Sequence, residues 1–151
     1  MRDKINRAIV TFFGIGYLPI MPGTYASAAG VLIYLALKDN LYMYLAVTLI
    51  VTIAGFVCAR RAEELFNNPD PRQVVIDEVS GMLIAYMFVP FSVSTVIIGF
   101  FLFRALDIIK VYPLNAVEKI GGARGIMLDD ILAGAMTNIA LQVFVYVRGI
   151  L

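Results

Sequence analysis

Five carboxylates, Asp77 and Glu78, Asp107, and Asp129 and Asp130, border long apolar runs. An ionisable group left unpaired inside a membrane costs roughly 2.5 to 3.5 kcal/mol on insertion scales, so a cluster of them calls for a cation or a function. Carboxylate oxygens without nitrogen or sulfur partners suit a hard divalent ion, Mg²⁺ first and Mn²⁺ second, bound through one or two carboxylates, water and a substrate phosphate. A single acidic residue at a helix start is more often a cap than a ligand. Two doublets together with Asp107 outweigh that ordinary role.

Arg104, Asp107 and Lys110 recur at three-residue spacing, which places them on one helical face with two cations around one carboxylate. Alone they would form a salt-bridge ladder at a membrane edge. Beside a metal cluster they read as phosphate clamps. Arg124, within Gly121-Gly122-Ala123-Arg124-Gly125, lies on a glycine-rich approach whose backbone amides can face an anion. Pro22-Gly23-Thr24 followed by Ser27 reads as a turn into a helix, with Thr24 as its cap or with Thr24 and Ser27 as substrate-facing hydroxyls.

What is missing narrows the chemistry further. The chain has no histidine and one cysteine, Cys58, inside an apolar run. Histidine nucleophiles, Ser-His-Asp triads, His-ligated zinc, thiolate metal sites and disulfide frameworks are therefore excluded. A net charge of +1, with no basic stripe, gives no reason to expect nucleic acid.

The elements that must position these groups are apolar. Of 151 residues, 61% are hydrophobic and 15% charged, and the mean hydropathy is +0.87. A soluble domain of this size has too little interior to hide such a balance, which places a soluble helical bundle behind a membrane protein. The expected architecture is all-α, a single domain over residues 1–151 forming a multi-helix integral membrane bundle. Five membrane-embedded helices are expected, at about 25–37, 41–59, 77–89, 92–109 and 126–147, several of them too short to cross ~30 Å of hydrocarbon unaided.

Residues 8–21 carry Phe12, Phe13 and Tyr17 behind a basic start, and resemble an interfacial or re-entrant piece. They imitate a secretory leader, but Gly14, Gly16, Pro19 and Pro22 interrupt the apolar stretch and favour an uncut segment. Pro90 divides the run from Val79 to Phe103 into two helices. With that division and the amino terminus inside, Arg2, Lys4, Arg7, Arg60, Arg61, Arg72, Arg104, Lys110, Lys119 and Arg124 fall on the cytoplasmic side, against Lys38 and Arg148 outside. All five carboxylates then reach the cytoplasmic face. The doublets are expected to open the third and fifth helices, with Asp107 near the end of the fourth.

Taken together, Pro22-Gly23-Thr24 with Ser27, Val75-Ile76-Asp77-Glu78-Val79 with Gly81-Met82, Phe103-Arg104 with Asp107 and Lys110, and the run GIMLDDILAG from Gly125 to Gly134 resemble the phosphatidylglycerophosphatase A family. The resemblance implies a Mg²⁺-dependent, multi-pass enzyme of the bacterial cytoplasmic (inner) membrane. Its substrate would be the lipid phosphatidylglycerophosphate, whose terminal phosphate it would remove to give phosphatidylglycerol and inorganic phosphate. Carried over by position, the family's acidic residues fall on Asp77, Glu78, Asp107, Asp129 and Asp130, its basic ones on Arg104 and Lys110, and its hydroxyls on Thr24 and Ser27. Ala26 and Val111 depart from the glycine and proline common at those places.

All five carboxylates are thus expected to hold metal, and Asp77, Asp107, Asp129 and Asp130 to act in catalysis. Thr24, Ser27, Arg104, Lys110 and Arg124 would bind substrate. Asp129 or Asp130 would serve as general base, with an aspartyl-phosphate intermediate as the other route. A small cation or proton transporter would use the same carboxylates without hydrolysis, but it needs polar groups on through the opposite half. A lipid-alcohol transferase ranks below both, since its Asp-Gly, Ala-Arg and spaced-Asp pattern is absent.

Overall fold

A short, polar, basic stretch opens the chain, and the computed structural model folds it into α1, Arg2–Val10. The structure describes residues 2–68, 71–110, 112–118 and 122–150. Turns through Gly14, which takes φ 97°, and a single 3-10 turn at Ile15–Tyr17 follow, so residues 8–21 form no continuous helix. This segment packs on the body of the protein. Val10 is fully buried, and its carbonyl accepts from the Val75 amide at 2.9 Å.

Apolar runs of helical length then give α2 (Pro22–Leu37), α3 (Leu41–Ala59), α5 (Ile76–Ala85), α6 (Val93–Ile109) and α8 (Gly122–Ile150), with short α4 (Ala62–Phe66) and α7 (Leu114–Glu118) between them. Among the described residues every element is helical. Two helices, Leu41–Ala59 and Gly125–Gly149, are long and apolar enough to cross a membrane. The remaining three large helices fall short of that length, so the fold is helical with two candidate spans and not five of equal standing. The exposed large residues Leu49, Ile50 and Ile53 on α3, and Ile139 and Val143 on α8, are what a lipid-facing surface needs.

Three boundaries differ from expectation. α2 starts at Pro22, whose ring suits the first helical position, after Met21 in the left-handed region; Thr24 is therefore inside the first turn and is not the cap. α5 ends at Ala85, because Tyr86 leaves the helical range and Phe88 takes φ 60° before Pro90. α8 begins at Gly122, so the described part of the glycine-rich stretch, from Gly122 to Gly125, is its first turn, and Asp129 and Asp130 lie two turns inside the helix. Glycine permits a break without imposing one. By contrast, the division at Pro90 holds: Ser92 caps α6 in a reciprocal box with Thr95.

α5 is the hub. It packs against α2, α3, α6 and α8, and its residues Ile76, Asp77, Val79–Leu83 and Ala85 are buried. At ten residues it spans about 15 Å, so it ends inside the apolar bundle. Its terminal carbonyls have no helical partners there and must find others. The Asn138 amide of α8 donates to Ile84 O, Ala85 O and Met87 O at 3.2, 3.1 and 2.7 Å. Tyr44 of α3 donates to Leu83 O, and Tyr34 of α2 to Val89 O at 3.5 Å.

Three helices thus clamp the blunt end of a fourth. Asn138→Leu takes the side-chain donor from Ala85 O and Met87 O, while Ile84 O keeps the Met87 amide at 3.1 Å, and is expected to cost about 1–3 kcal/mol, read as a lowered thermal midpoint in detergent by circular dichroism. A midpoint equal to that of the unmodified protein would show that Asn138 does not hold α5.

Candidate active site

The amino-terminal ends of α2 and α5, the carboxyl-terminal end of α6 and the first turns of α8 meet at one end of the bundle. They enclose a pocket of about 680 Å³ whose wall includes Asp77, Glu78, Asp129, Asp130, Arg104 and Asp107. Asp77 and Glu78 stand in the first turn of α5, as the sequence indicates, and Asp107 lies near the end of α6. All five expected carboxylates reach this pocket.

They divide into two groups. One oxygen each from Asp77, Glu78 and Asp130 lies within 4.8 Å of the others, a set able to hold a metal ion. Asp77 and Asp130 are 8% and 3% exposed, and Asp77 Oδ1 and Glu78 Oε2 are buried with no hydrogen-bond partner among the described residues. Burial lifts the Asp77 carboxyl well above its ordinary value, reinforced by the charges of Glu78 and Asp130. Burial likewise pushes Glu78 up to about 7. Such a group resists holding its negative charges together, a cost that a cation bound among them would relieve.

Asp107 and Asp129 instead hold the cations. Arg104 Nη1 lies 2.6 Å from Asp107 Oδ2 and Lys110 Nζ 2.9 Å from Asp129 Oδ2. Lys110 reaches Asp129 because it caps α6 in the left-handed region, φ 49°, with its amide bonded to Leu106 O. The three-residue ladder is thereby split, one cation on α6's own carboxylate and the other across to α8.

Close approach depends on glycine. A Cβ at Gly23 would collide with Glu78 Oε1 and lie 3.3 Å from Arg104 Nη1, so α2's first turn can touch both charges only without a side chain. Ser27 is fully buried, donates to Gly23 O at 2.9 Å and lies 3.5 Å from Arg104 Nη1. Thr24 Oγ1 is buried without a partner among the described residues. Ser27 thus stands behind Arg104, and neither Thr24 nor Ser27 lines the pocket wall. Gly122 and Gly125 do line the pocket, while the Arg124 side chain, Lys119 and Val111 lie outside the described residues.

Two features escaped sequence reasoning. The turn before α5 adds Arg72 to the pocket wall, where the sequence had marked it only as an inner-side charge. Asp77 and Gly81 on α5, and Asp130 and Gly134 on α8, each follow an Asp-x-x-x-Gly spacing that puts acid and glycine on one face. A Cβ at Gly134 would strike the Gly81 carbonyl, and one at Gly81 would lie 2.5 Å from Asp130 O. Backbone contact at the glycines brings the aspartates together one turn away, and that repeated spacing was the available signal.

An apolar helical bundle with two candidate spans, ending in a carboxylate triad flanked by Arg104 and Lys110, has the chemistry to hold an anionic, phosphate-bearing ligand. The family model for Phosphatidylglycerophosphatase A matches residues 8–145, and the chain belongs to that family. Among relatives, "Putative phosphatidylinositol-3-phosphatase" of Bacteroides thetaiotaomicron is 34% identical over 93% of this chain and 94% of its own. Phosphatidylglycerophosphatase A of Escherichia coli is 35% identical over 83% and 74%, and that of Haemophilus influenzae 30% over 89% and 85%. No solved structure matches.

Proposed function

We propose that this chain hydrolyses the terminal phosphate of phosphatidylglycerophosphate, releasing phosphatidylglycerol and inorganic phosphate, at the cytoplasmic face of a bacterial inner membrane. Family membership supports a phosphatase of this kind. The observation that carries the reading is the buried triad Asp77, Glu78 and Asp130 opening on a pocket that also contains Arg104 and Lys110. Its all-oxygen donors and orphaned Asp77 Oδ1 and Glu78 Oε2 fit Mg²⁺. Bound there, Mg²⁺ supplies Lewis-acid polarisation of a phosphoryl oxygen and makes an attendant water more acidic.

The chain's own groups do the rest. Arg104 and Lys110, joined by Arg124 in α8's first turn, neutralise charge that develops on the phosphoryl oxygens. Asp107 holds the Arg104 guanidinium in place, and the Ser27 hydroxyl backs it at 3.5 Å. Asp129, on the pocket wall but outside the triad, serves as general base and takes the proton of the attacking water. Met21 and Ile108 line the same pocket and are 57% and 61% exposed, an apolar rim along which acyl chains can stay in the bilayer while the headgroup enters. The bias of ten cationic residues to two supports a cytoplasmic site.

Transport gains no comparable support. Beyond the pocket Thr48 and Thr52 donate to backbone carbonyls one turn back, Thr52 meets Ser80 at 2.7 Å, and Asn138 is spent on α5. The test is phosphate release from phosphatidylglycerophosphate, phosphatidylinositol 3-phosphate and phosphatidic acid in mixed micelles, with Mg²⁺ and with chelator. The first lipid should be the fastest, and chelation should abolish its turnover until Mg²⁺ is restored. Faster turnover of phosphatidylinositol 3-phosphate would reassign the substrate, and indifference to chelator would remove the metal.

A further inference from the structure

We propose that Arg72 is a specificity determinant that grips the linking phosphodiester of the substrate, so that the pocket selects lipids carrying a second phosphate below the one removed. This rests on the lipid phosphatase reading above and adds to it the headgroup chemistry recognised.

The described cations of the pocket are not equivalent. Arg104 and Lys110 are each held by a carboxylate, at 2.6 and 2.9 Å, next to the triad. Arg72 lines the same pocket and is exposed, and it forms no ion pair or hydrogen bond with any described residue. Its backbone is nevertheless pinned. The Val74 amide closes a turn on Pro71 O at 2.9 Å, and the Val75 amide bonds Val10 O at 2.9 Å. A Cβ at Gly16 would collide with the Gln73 carbonyl, so the 3-10 segment presses directly on this turn. Pro71 and Val74, on either side of the position, are buried.

The result is a guanidinium on a fixed anchor at the rim, five residues before Asp77, with its fork uncommitted. A terminal phosphate dianion is matched by the triad's cation and by Arg104 and Lys110. The substrate's linking phosphodiester carries one further negative charge and two non-bridging oxygens, and it must lie nearer the rim because the acyl chains extend from it. A planar guanidinium matches two such oxygens bidentately, and a point-charge ammonium does so less well.

The experiment compares full-length wild type, Arg72→Ala and Arg72→Lys in mixed micelles, on phosphatidylglycerophosphate and on phosphatidic acid, which has no second phosphate. Arg72→Ala should raise KM for phosphatidylglycerophosphate about tenfold, the loss of one charged hydrogen-bonding contact. The kcat should hold within about twofold, and phosphatidic acid hydrolysis should be unchanged. Arg72→Lys should recover part of the loss. Inhibition by phosphatidylglycerol, which keeps the diester, should weaken, whereas inhibition by inorganic phosphate should not.

Equal losses on both lipids, or an unchanged KM for phosphatidylglycerophosphate, would overturn the role of Arg72 and leave the phosphatase intact. A wild type that turns over phosphatidic acid but not phosphatidylglycerophosphate would overturn the proposed substrate and this role with it.

Discussion

Asp130→Asn and Asp77→Asn are each expected to lower phosphate release by at least about three orders of magnitude, equivalent to ~4 kcal/mol of barrier. The substitution is nearly isosteric, so the close packing around α5 and α8 is kept, and what is lost is one negative charge and one hard oxygen from the triad. Asp77 and Asp130 are almost fully buried, so few other groups can take the place of the lost ligand oxygen. A second consequence has the opposite sign. Without metal, three buried carboxylates oppose one another, so removing one charge should leave thermal stability in chelator unchanged or raised.

Activity and metal-free stability should therefore move apart, a pattern that simple misfolding does not produce. Stabilisation by added Mg²⁺, visible as a raised midpoint in the wild type, should vanish in both variants. The exposed Asp39→Asn, whose carboxylate pairs with Lys38 at the opposite end of α2, should change neither. Near-normal turnover by either triad variant would remove that aspartate from the site.

The second large effect is expected at a residue with no side chain. Gly134→Ala places a methyl against the Gly81 carbonyl, and because backbone is the obstacle the helices themselves must part. Overpacking of this kind costs typically about 1–3 kcal/mol, against which alanine returns at most ~1 kcal/mol of helix propensity. The larger consequence is functional, since Asp130 sits one turn from Gly134 and faces Asp77 across the same contact. Parting α5 from α8 widens the triad, so Gly134→Ala should lose Mg²⁺-dependent activity out of proportion to its loss of stability, and Gly134→Val should fail to fold.

Gly149→Ala is the matched control. It stands on the same helix with nothing within 4 Å of its added methyl, and it should be neutral or slightly stabilising. Thermal midpoints and phosphate release on the three variants together read both terms. Full activity in Gly134→Ala would show that the triad's spacing does not depend on this helix contact.

Much of this was legible along the chain. The break at Pro90 follows from a missing amide and a fixed φ, and a Ser92–Thr95 capping box starts the next helix. Other boundaries were not legible. Gly122 and Gly125 looked like a loop and became a helical turn, because glycine's freedom lets the surroundings choose. Val89 looked helical, but the chain leaves the helix after Ala85, where Asn138 and two tyrosines meet the freed carbonyls.

By itself the sequence determined the chemistry available: hard oxygen ligands, cations at helical spacing, no imidazole and one thiol within an apolar run, all set in apolar helices whose periods are local properties of the chain. Only the tertiary structure decided which carboxylates lie close enough together to hold a metal ion and which pair with a cationic side chain. That choice follows from helix crossing, where Gly81 and Gly134 let two backbones touch and so bring Asp77 and Asp130 together, while the turn at Lys110 sends its ammonium across to Asp129. Distances across a bundle are fixed by packing between segments remote in sequence, and no local pattern contains them.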